Sequence, residues 1–156
     1  MDYCNYLPHQ LNKKLNEAEL LKMAWAYYQE KIMDGNIMVY GKTLVAFENN
    51  KIGTFNHITT EERQNGKRVF SKSRTRKLVW LEDFLRLHCQ NKHECDDFLI
   101  WKGESQGRKS LKLYCQKLRY LVVLIDKPKN FYLLTAYYVD KNHNHEKLLK
   151  EYRMLK

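Results

Sequence analysis

The stretch RYLVVLIDKPKNFYLLTAYYVD, which runs from Arg119 to Asp140, decides the fold of this chain. Tyr120 to Ile125 is an unbroken apolar run of strand length that is rich in β-branched residues. Turn-forming residues follow it, and a second run extends from Phe131 to Val139. The pattern predicts a β-hairpin whose first strand is covered on both faces, because that strand shows no alternation of polar and apolar residues.

Two polar side chains lie in the second strand of this hairpin. Thr135 and Tyr137 have the same parity as the apolar residues that begin the strand, Phe131 and Leu133. A hydroxyl and a phenol are therefore predicted on one face, near the end of a buried strand. One explanation is a hydrogen bond that satisfies these groups at the strand end. The other explanation is a functional site.

Two further strands are predicted before the hairpin. Phe98 to Trp101 and Ser110 to Leu118 have strand character, and Gly103 to Gly107 reads as the hairpin loop that joins them. Because the connections are short, the four strands are expected to form an antiparallel meander. A helix from His143 to Met154, capped by Asn142 or Asn144, is predicted to close the fold.

The first 70 residues predict a helix and short extended segments. Asn16 to Met33 has apolar residues at helical spacing, with Asn16 as N-cap and Gly35 as the stop. Ile37 to Tyr40 and Thr43 to Phe47 are predicted as two short strands joined by a tight turn. A third extended segment, Ile52 to Ile58, is predicted to carry His57.

The overall expectation is an α+β fold of one domain spanning residues 1–156. N-terminal helices pack on a C-terminal four-stranded antiparallel sheet, and a C-terminal helix closes the structure. Residues 1–70 supply the N-terminal helix and short strands, and residues 71–156 supply the helix, meander and closing helix. At 156 residues such a domain can bury a core without disulfides or metal ions.

The densest positive stretch of the chain is Thr59 to Lys77, and it leads into a second helix, from Ser71 or Ser73 to His88. Asn65 and Gly66 predict an exposed turn within it. The stretch is either a solvated loop or a surface that binds phosphate groups. It contains seven basic residues: Arg63, Lys67, Arg68, Lys72, Arg74, Arg76 and Lys77.

Arg74 occupies a distinctive position at the start of that helix. It lies four residues before Leu78, so it falls on the buried face in the first helical turn. Spacing leaves two alternatives open. Arg74 forms a buried structural ion pair, or it binds phosphate beside the positive end of the helix.

The charge balance favours an anionic partner. Lys and Arg number 28 against 18 Asp and Glu, a formal net charge of +10, so nucleic acid is the first expectation. A basic balance that only aids solubility is the alternative. Aromatic residues make up 13% of the chain, with eleven Tyr, and their stacking surface favours RNA or single-stranded partners.

Cysteine and histidine usage predicts neither a disulfide framework nor a metal centre or other cofactor. No signal peptide precedes the cysteines, and no window approaches the ~18 apolar residues of a membrane span, so a cytoplasmic protein with no membrane partner is expected. Export by a route without a classical signal, as for an effector, is compatible with the sequence. Four possible zinc ligands lie close together, but their spacing differs from that of paired-ligand zinc motifs. They are His88, Cys89, His93 and Cys95.

A helix with an early Arg and a central Trp, a meander ending in Thr-Ala-Tyr and a basic closing helix follow one another in this chain. The residues concerned are Arg74, Leu78, Trp80, Leu85, Tyr120 to Ile125 and Phe131 to Asp140. In this order of elements, the region from Ser73 to Tyr152 resembles the phage-associated branch of the nuclease superfamily that groups barnase, EndoU, colicin and RelE-type ribonucleases. The resemblance covers about half of the chain.

The resemblance implies a metal-independent endoribonuclease, often a toxin of bacterial or phage conflict, with RNA as substrate and an antitoxin or immunity protein as a possible partner. The ribose 2′-hydroxyl would attack its own phosphodiester, a reaction that needs a base, an acid and cationic or hydrogen-bonding groups for the phosphorane. His57 would act as base or acid, since imidazole titrates near neutral pH. Arg74 would neutralise the phosphate, while Thr135 and Tyr137 would supply a hydroxyl and a phenol.

The remaining basic residues are expected to bind nucleic acid around that centre. His143 and His145, just after the last strand, are alternative imidazoles. The nucleic-acid-binding set is Lys67, Arg68, Lys72, Arg76 and Lys77.

Two non-enzymatic alternatives remain open. One is an RNA- or DNA-binding module without chemistry, in which the same basic residues contact phosphates and tyrosines stack on bases. The other is a phage adaptor or structural protein that retains the fold without activity. The enzyme hypothesis predicts that Arg74, Thr135 and one histidine converge within a few ångströms on a concave basic face, whereas a binding module needs no imidazole near Arg74.

Overall fold

A computed structural model describes residues 10–11, 14–47, 50–87 and 96–156. The class is α+β, as predicted. The helices are α1 (Glu17–Tyr27), α2 (Lys51–Thr59), α3 (Lys72–Lys77), α4 (Leu81–Leu85) and α5 (Asn142–Leu155). The strands are β1 (Met38–Val39), β2 (Lys42–Val45), β3 (Thr60–Glu62), β4 (Arg68–Phe70), β5 (Phe98–Ser105), β6 (Arg108–Cys115), β7 (Tyr120–Asp126) and β8 (Asn130–Tyr138).

In the part of the chain that the structure describes, the main sheet has six strands in the order β1-β2-β8-β7-β6-β5, and the prediction of a sheet with four antiparallel strands is therefore wrong. The predicted meander exists as β5 to β8, with every neighbour antiparallel. The hairpin β1-β2 extends it, and β2 pairs parallel to β8 through Leu44 and Phe131. Such a parallel pair joins segments that are distant in the sequence, so it cannot be predicted from a turn between neighbouring strands.

The β5-β6 hairpin is longer than predicted. Gly103 to Ser105 belong to β5 rather than to a loop, because Ser105 pairs with Arg108. Gln106 and Gly107 alone form the turn, and both have positive φ. The prediction of a loop from Gly103 to Gly107 is therefore wrong, and the paired strands reach further than their apolar residues suggest.

A β-bulge in β8 reverses the predicted parity of its polar residues. Thr135 pairs with Val123 while Leu133 pairs with Leu124, so one extra residue, Leu134, is inserted between them. The residue opposite Tyr137 is Leu121. Thr135 and Tyr137 consequently share a face with each other, but not with the apolar residues that begin the strand.

The sheet separates two apolar clusters. The larger one joins α1, α2 and α4 to one face of the sheet and includes Tyr28, Phe84 and Val122. The smaller one joins α5 to the other face through Leu149 and Trp101. The Trp101 and Tyr152 rings meet edge to face at 5.6 Å.

The N-terminal helix begins where the sequence predicts. The Asn16 side chain accepts a hydrogen bond from the Glu19 N–H, and the Glu19 carboxylate accepts one from the Asn16 N–H, which completes a capping box. After Tyr27 the chain continues as one π-helical segment, Tyr28–Met33. Gly35 is required at the end because a Cβ there would lie 2.1 Å from the Lys31 carbonyl oxygen.

Residues 52–58 form a helix, and the prediction of an extended segment there is wrong. The Asn50 side chain accepts hydrogen bonds from the backbone N–H groups of Ile52 and Gly53 and so starts α2. Phe55 and Ile58 are buried at helical spacing. β-Branched residues favour a strand locally, but the Asn50 cap and the burial of Phe55 and Ile58 stabilise the helix more.

The basic stretch from Thr59 to Lys77 is a hairpin followed by a helix. β3 and β4 pair around an exposed turn that contains Asn65 and Gly66, as predicted for the turn. Ser71 caps α3 by accepting a hydrogen bond from the Arg74 N–H. The helical path then continues through a 3₁₀ turn, Leu78–Trp80, into α4. His88 lies outside the described residues.

The closing helix α5 is present, but its predicted caps are not. It starts at Asn142 with Lys141 as N-cap, and no side chain of a described residue caps it. Among the described residues, no helix combines the length and the hydropathy that a membrane span requires.

Candidate active site

A cleft of about 320 Å³ lies where α2, the β3-β4 hairpin, α3 and the ends of β8 and α5 meet. β8 pairs with β2 only from Asn130 to Tyr132, and α2 and α3 contact β8 directly. A backbone hydrogen bond from Ser71 to Thr59 joins α3 to α2 at 2.9 Å. The cleft is lined by His57, Glu61, Glu62, Arg68, Arg74, Tyr137, Tyr138, Val139, Asp140, Lys141 and Asn144.

Arg74 is half-buried and lines the cleft from α3. Its Nη1 donates to the Thr60 carbonyl at 2.7 Å, and its guanidinium carbon lies 4.8 Å from the centre of the Tyr137 ring. Burial and the neighbouring Arg68 cation lower the pKa of Arg74, yet a guanidinium remains charged at any physiological pH. Within the described part of the chain, the N–H groups on Nε and Nη2 have no hydrogen-bond partner, although the carboxylates of Glu61 and Asp140 act on the guanidinium electrostatically.

Arg68 holds the end of α2 in place. Its Nη2 donates to the His57 carbonyl at 2.9 Å and to the Thr60 carbonyl at 2.8 Å, and its Nε donates to the Thr60 hydroxyl at 2.9 Å. The last carbonyls of a helix lack partners within the helix, so an arginine is well suited to this position. Arg68 therefore fixes the backbone that carries the histidine, in addition to placing a cation in the cleft.

His57 is half-buried and lines the cleft from the last turn of α2. Burial lowers its pKa below the ordinary value of 6.5, and the cations of Arg68 and Arg74 lower it further. Glu62 acts in the opposite direction and is the smallest of these influences. The imidazole is therefore neutral at physiological pH, the state in which it accepts a proton.

Tyr137 and Thr135 have different surroundings despite sharing one face of β8. Tyr137 lines the cleft, and burial raises the pKa of its phenol, partly offset by Arg74. The phenol is therefore protonated and able to donate a hydrogen bond at neutral pH. Thr135 is buried, its hydroxyl has no hydrogen-bond partner among the described residues, and it is not among the residues that line the cleft.

The cleft is not the uniformly basic hollow that the sequence suggests. Besides its cations it holds the carboxylates of Glu61, Glu62 and Asp140. Glu61 pairs with Arg63 at 3.3 Å. Sequence reasoning did not place Glu61 and Glu62 in the site because it treated the segment from Thr59 to Lys77 as a basic loop. The Asn65-Gly66 turn between two short runs was the available signal for a hairpin that would bring these two glutamates to the cleft.

No family model, characterised protein or solved structure matches this chain.

The predicted nucleic-acid-binding residues differ in whether their cationic groups already form contacts within the fold. Lys67 and Lys72 are exposed. Arg76 is committed to the fold, since its Nε donates to the Leu11 carbonyl at 2.9 Å. Lys77 lies 4.4 Å from the centre of the Tyr138 ring and donates to the Ser73 hydroxyl. Only Arg68 from this set lines the cleft.

The alternative histidines do not line the cleft. His143 is exposed in the first turn of α5. His145 is buried, and its Nδ1 lies 2.6 Å from the Tyr114 hydroxyl. Burial and Arg119 lower the pKa of His145. This pair joins α5 to the sheet, so its evident contribution is to stability.

A metal site finds no support in the part of the chain that the structure describes. No group of three or more His, Cys, Asp or Glu side chains in that part is arranged to hold a metal ion. The cluster of His88, Cys89, His93 and Cys95 lies outside the described residues. What the cleft does offer is a neutral imidazole, a guanidinium with unused donors and a protonated phenol.

Proposed function

We propose that this protein is a metal-independent endoribonuclease that cleaves RNA by attack of the ribose 2′-hydroxyl on the adjacent phosphodiester. One observation carries the proposal: His57, Arg74 and Tyr137, which are far apart in the sequence, line one cleft. A module that only binds nucleic acid does not need a neutral imidazole beside its phosphate-binding arginine.

His57 is the proposed general base. Its lowered pKa keeps the imidazole unprotonated at neutral pH, so it is ready to take the 2′ proton. The 2′ oxygen then bonds to phosphorus while the bond from phosphorus to the 5′ oxygen breaks. This yields a 2′,3′-cyclic phosphate and a 5′-hydroxyl. DNA lacks the 2′-hydroxyl and is not a substrate.

Arg74 is proposed to stabilise the charge that develops on the phosphorane. The Thr60 carbonyl and the Tyr137 ring fix the orientation of its guanidinium before substrate arrives, which is what electrostatic preorganisation requires. Tyr137 is the proposed hydrogen-bond donor and source of the proton that the leaving 5′ oxygen needs. The proton held by His57 returns to solvent or to the phenolate afterwards. Thr135 takes no part in this scheme.

The biological role follows from the same resemblance that suggests the chemistry. A phage-associated or toxin-type ribonuclease acts in the cytoplasm, where its RNA substrate is, and is held inactive by an antitoxin or immunity protein. The net charge of +10 suits both an RNA substrate and an acidic inhibitor.

The test is cleavage of total RNA in the presence of excess chelator. Wild type, His57→Ala and Arg74→Ala are compared, and fragment ends are examined for cyclic phosphate. Lys109→Ala is the matched control, because Lys109 is an exposed cation near the β5-β6 turn, at the opposite end of the sheet from Tyr137. We expect cyclic-phosphate ends with wild type and Lys109→Ala, and loss of cleavage in both cleft variants.

RNA binding without cleavage by folded wild-type protein would instead favour the non-catalytic module. Chelator-sensitive cleavage would exclude the proposed mechanism.

A further inference from the structure

A second cavity lies at the other end of the main sheet. It measures about 550 Å³, within the range of small-molecule sites. Phe131, which lines it, is six residues from Tyr137 along β8, so the two sites are ~20 Å apart by the rise of a β-strand. The cavity is lined by Tyr40, Lys42, Ile100, Trp101, Lys102, Leu111, Asp126, Phe131, Leu155 and Lys156, and we call it the Tyr40 cavity.

Tyr40 is an unfavourable residue for the turn that it occupies. Val39 pairs with Lys42, which leaves Tyr40 and Gly41 as the two turn residues, with φ of 46° and 78°. Turns with positive φ at both positions favour Asn or Gly, and a bulky side chain is strained there. The Tyr40 side chain is also 59% exposed, so neither the turn nor the core explains an aromatic ring at this position.

The floor of the cavity is apolar and its rim is cationic. The buried residues Leu111 and Phe131 line the cavity, and so does Leu155, which is 51% exposed. Lys42 is paired with Asp126 and also donates to the Lys127 carbonyl at 2.9 Å. Lys102, in contrast, is exposed and forms no hydrogen bond or ion pair with any described residue.

We propose that the Tyr40 cavity binds a small planar aromatic anion. The ring of such a ligand would stack on Tyr40 and cover the apolar floor, because offset aromatic contacts add to the gain from burying apolar surface. The charge would lie at Lys102, since the Lys42 charge is already neutralised by Asp126 and the Lys156 ammonium lies over the Tyr152 ring. This inference does not rest on ribonuclease activity.

The proposal is tested by titrating the intact protein with the aromatic sulfonate 8-anilinonaphthalene-1-sulfonate and recording fluorescence. Saturable binding of about one dye per chain is expected. Tyr40→Asn should weaken it roughly tenfold, because it removes the ring, while Tyr40→Phe should bind as wild type. Lys102→Glu should weaken the anionic dye similarly and leave a neutral dye, N-phenyl-1-naphthylamine, little affected.

Two controls keep the test decisive. Asn suits the positive φ of this turn, so Tyr40→Asn should unfold in urea at the same or a higher midpoint than wild type, and weaker binding would then not reflect impaired folding. Ile52→Ser alters a different apolar groove, between α1 and α2, and should leave dye binding unchanged. Wild-type dye affinity in folded Tyr40→Asn, or a loss confined to Ile52→Ser, would overturn the proposal.

Discussion

The guanidinium carbon of Arg74, near the start of α3, lies 4.8 Å from the centre of the Tyr137 ring, near the end of β8. These residues are brought together because α3 packs beside the part of β8 that β2 does not pair with. His57 lines the same cleft. Of the residues predicted to converge, Arg74 and His57 therefore line one cleft together with Tyr137, whereas Thr135 does not line it.

Arg74→Ala is expected to lower the rate of RNA cleavage by about 10²- to 10³-fold, the range for loss of one preorganised transition-state donor. RNA affinity should fall much less, because Lys67 and Lys72 remain. Single-turnover cleavage and equilibrium binding measure the two effects separately. Equal losses of cleavage rate and RNA affinity would mean that Arg74 serves binding only. Lys109→Ala is the control and should leave both quantities close to their wild-type values.

The pH dependence of cleavage should report on His57. Its pKa is lowered from 6.5, so the base form is retained as the pH falls through 6.5, and the rate should drop only at lower pH. Arg68→Gln removes one of the cations that lower this pKa, and the acid limb of the profile should move to higher pH. If Arg68→Gln lowers the rate but leaves the acid limb at the same pH, Arg68 acts only through the hydrogen bonds that it donates to the end of α2.

The His145-Tyr114 pair predicts a pH-dependent stability. The pKa of His145 is lowered in the folded protein, so the unfolded chain binds the proton more readily. The pair's contribution should be complete above pH 6.5 and should be lost as the pH falls below that value toward the folded pKa. Urea unfolding across this range measures it, and His145→Gln should flatten the dependence attributable to this group.

Removing the His145 imidazole should also lower the free energy of unfolding at neutral pH. His145→Ala leaves the buried Tyr114 hydroxyl without its partner, which costs about 1–3 kcal/mol of unfolding free energy. His143→Ala, two residues away and exposed, is the matched control and should change stability by less than about 0.5 kcal/mol. Similar effects of the two substitutions would contradict the structural role given to the buried pair.

The salt dependence of RNA binding should separate free cations from those used by the fold. Replacing Lys67 and Lys72 together with Ala should reduce the slope of log affinity against log salt by about 0.7 for each phosphate that the variant no longer neutralises. Arg76→Ala should leave that slope nearly unchanged, because Arg76 donates to the Leu11 carbonyl. An unchanged slope in the double variant would remove the basic hairpin and α3 from the RNA-binding surface.

What the sequence determined by itself was the local structure. The long apolar runs of β7 and β8, the Asn16 cap of α1 and the Asn65-Gly66 turn all follow from interactions between near neighbours, and the structure contains each of them. Local rules failed at residues 52–58, where Asn50 and the burial of Phe55 outweigh the β-branched residues.

Tertiary structure alone decided the site. The bulge at Leu134 determines which face of β8 carries Tyr137. The parallel pairing of β2 with β8 ends at Tyr132, and packing of α2 and α3 on β8 brings His57 and Arg74 to the cleft. The same packing added Glu61, Glu62 and Asp140 to the cleft. The packing of α2 and α3 on β8 joins parts of the chain that are more than 50 residues apart in the sequence. This packing depends on the burial of apolar faces throughout the chain, which no local pattern specifies.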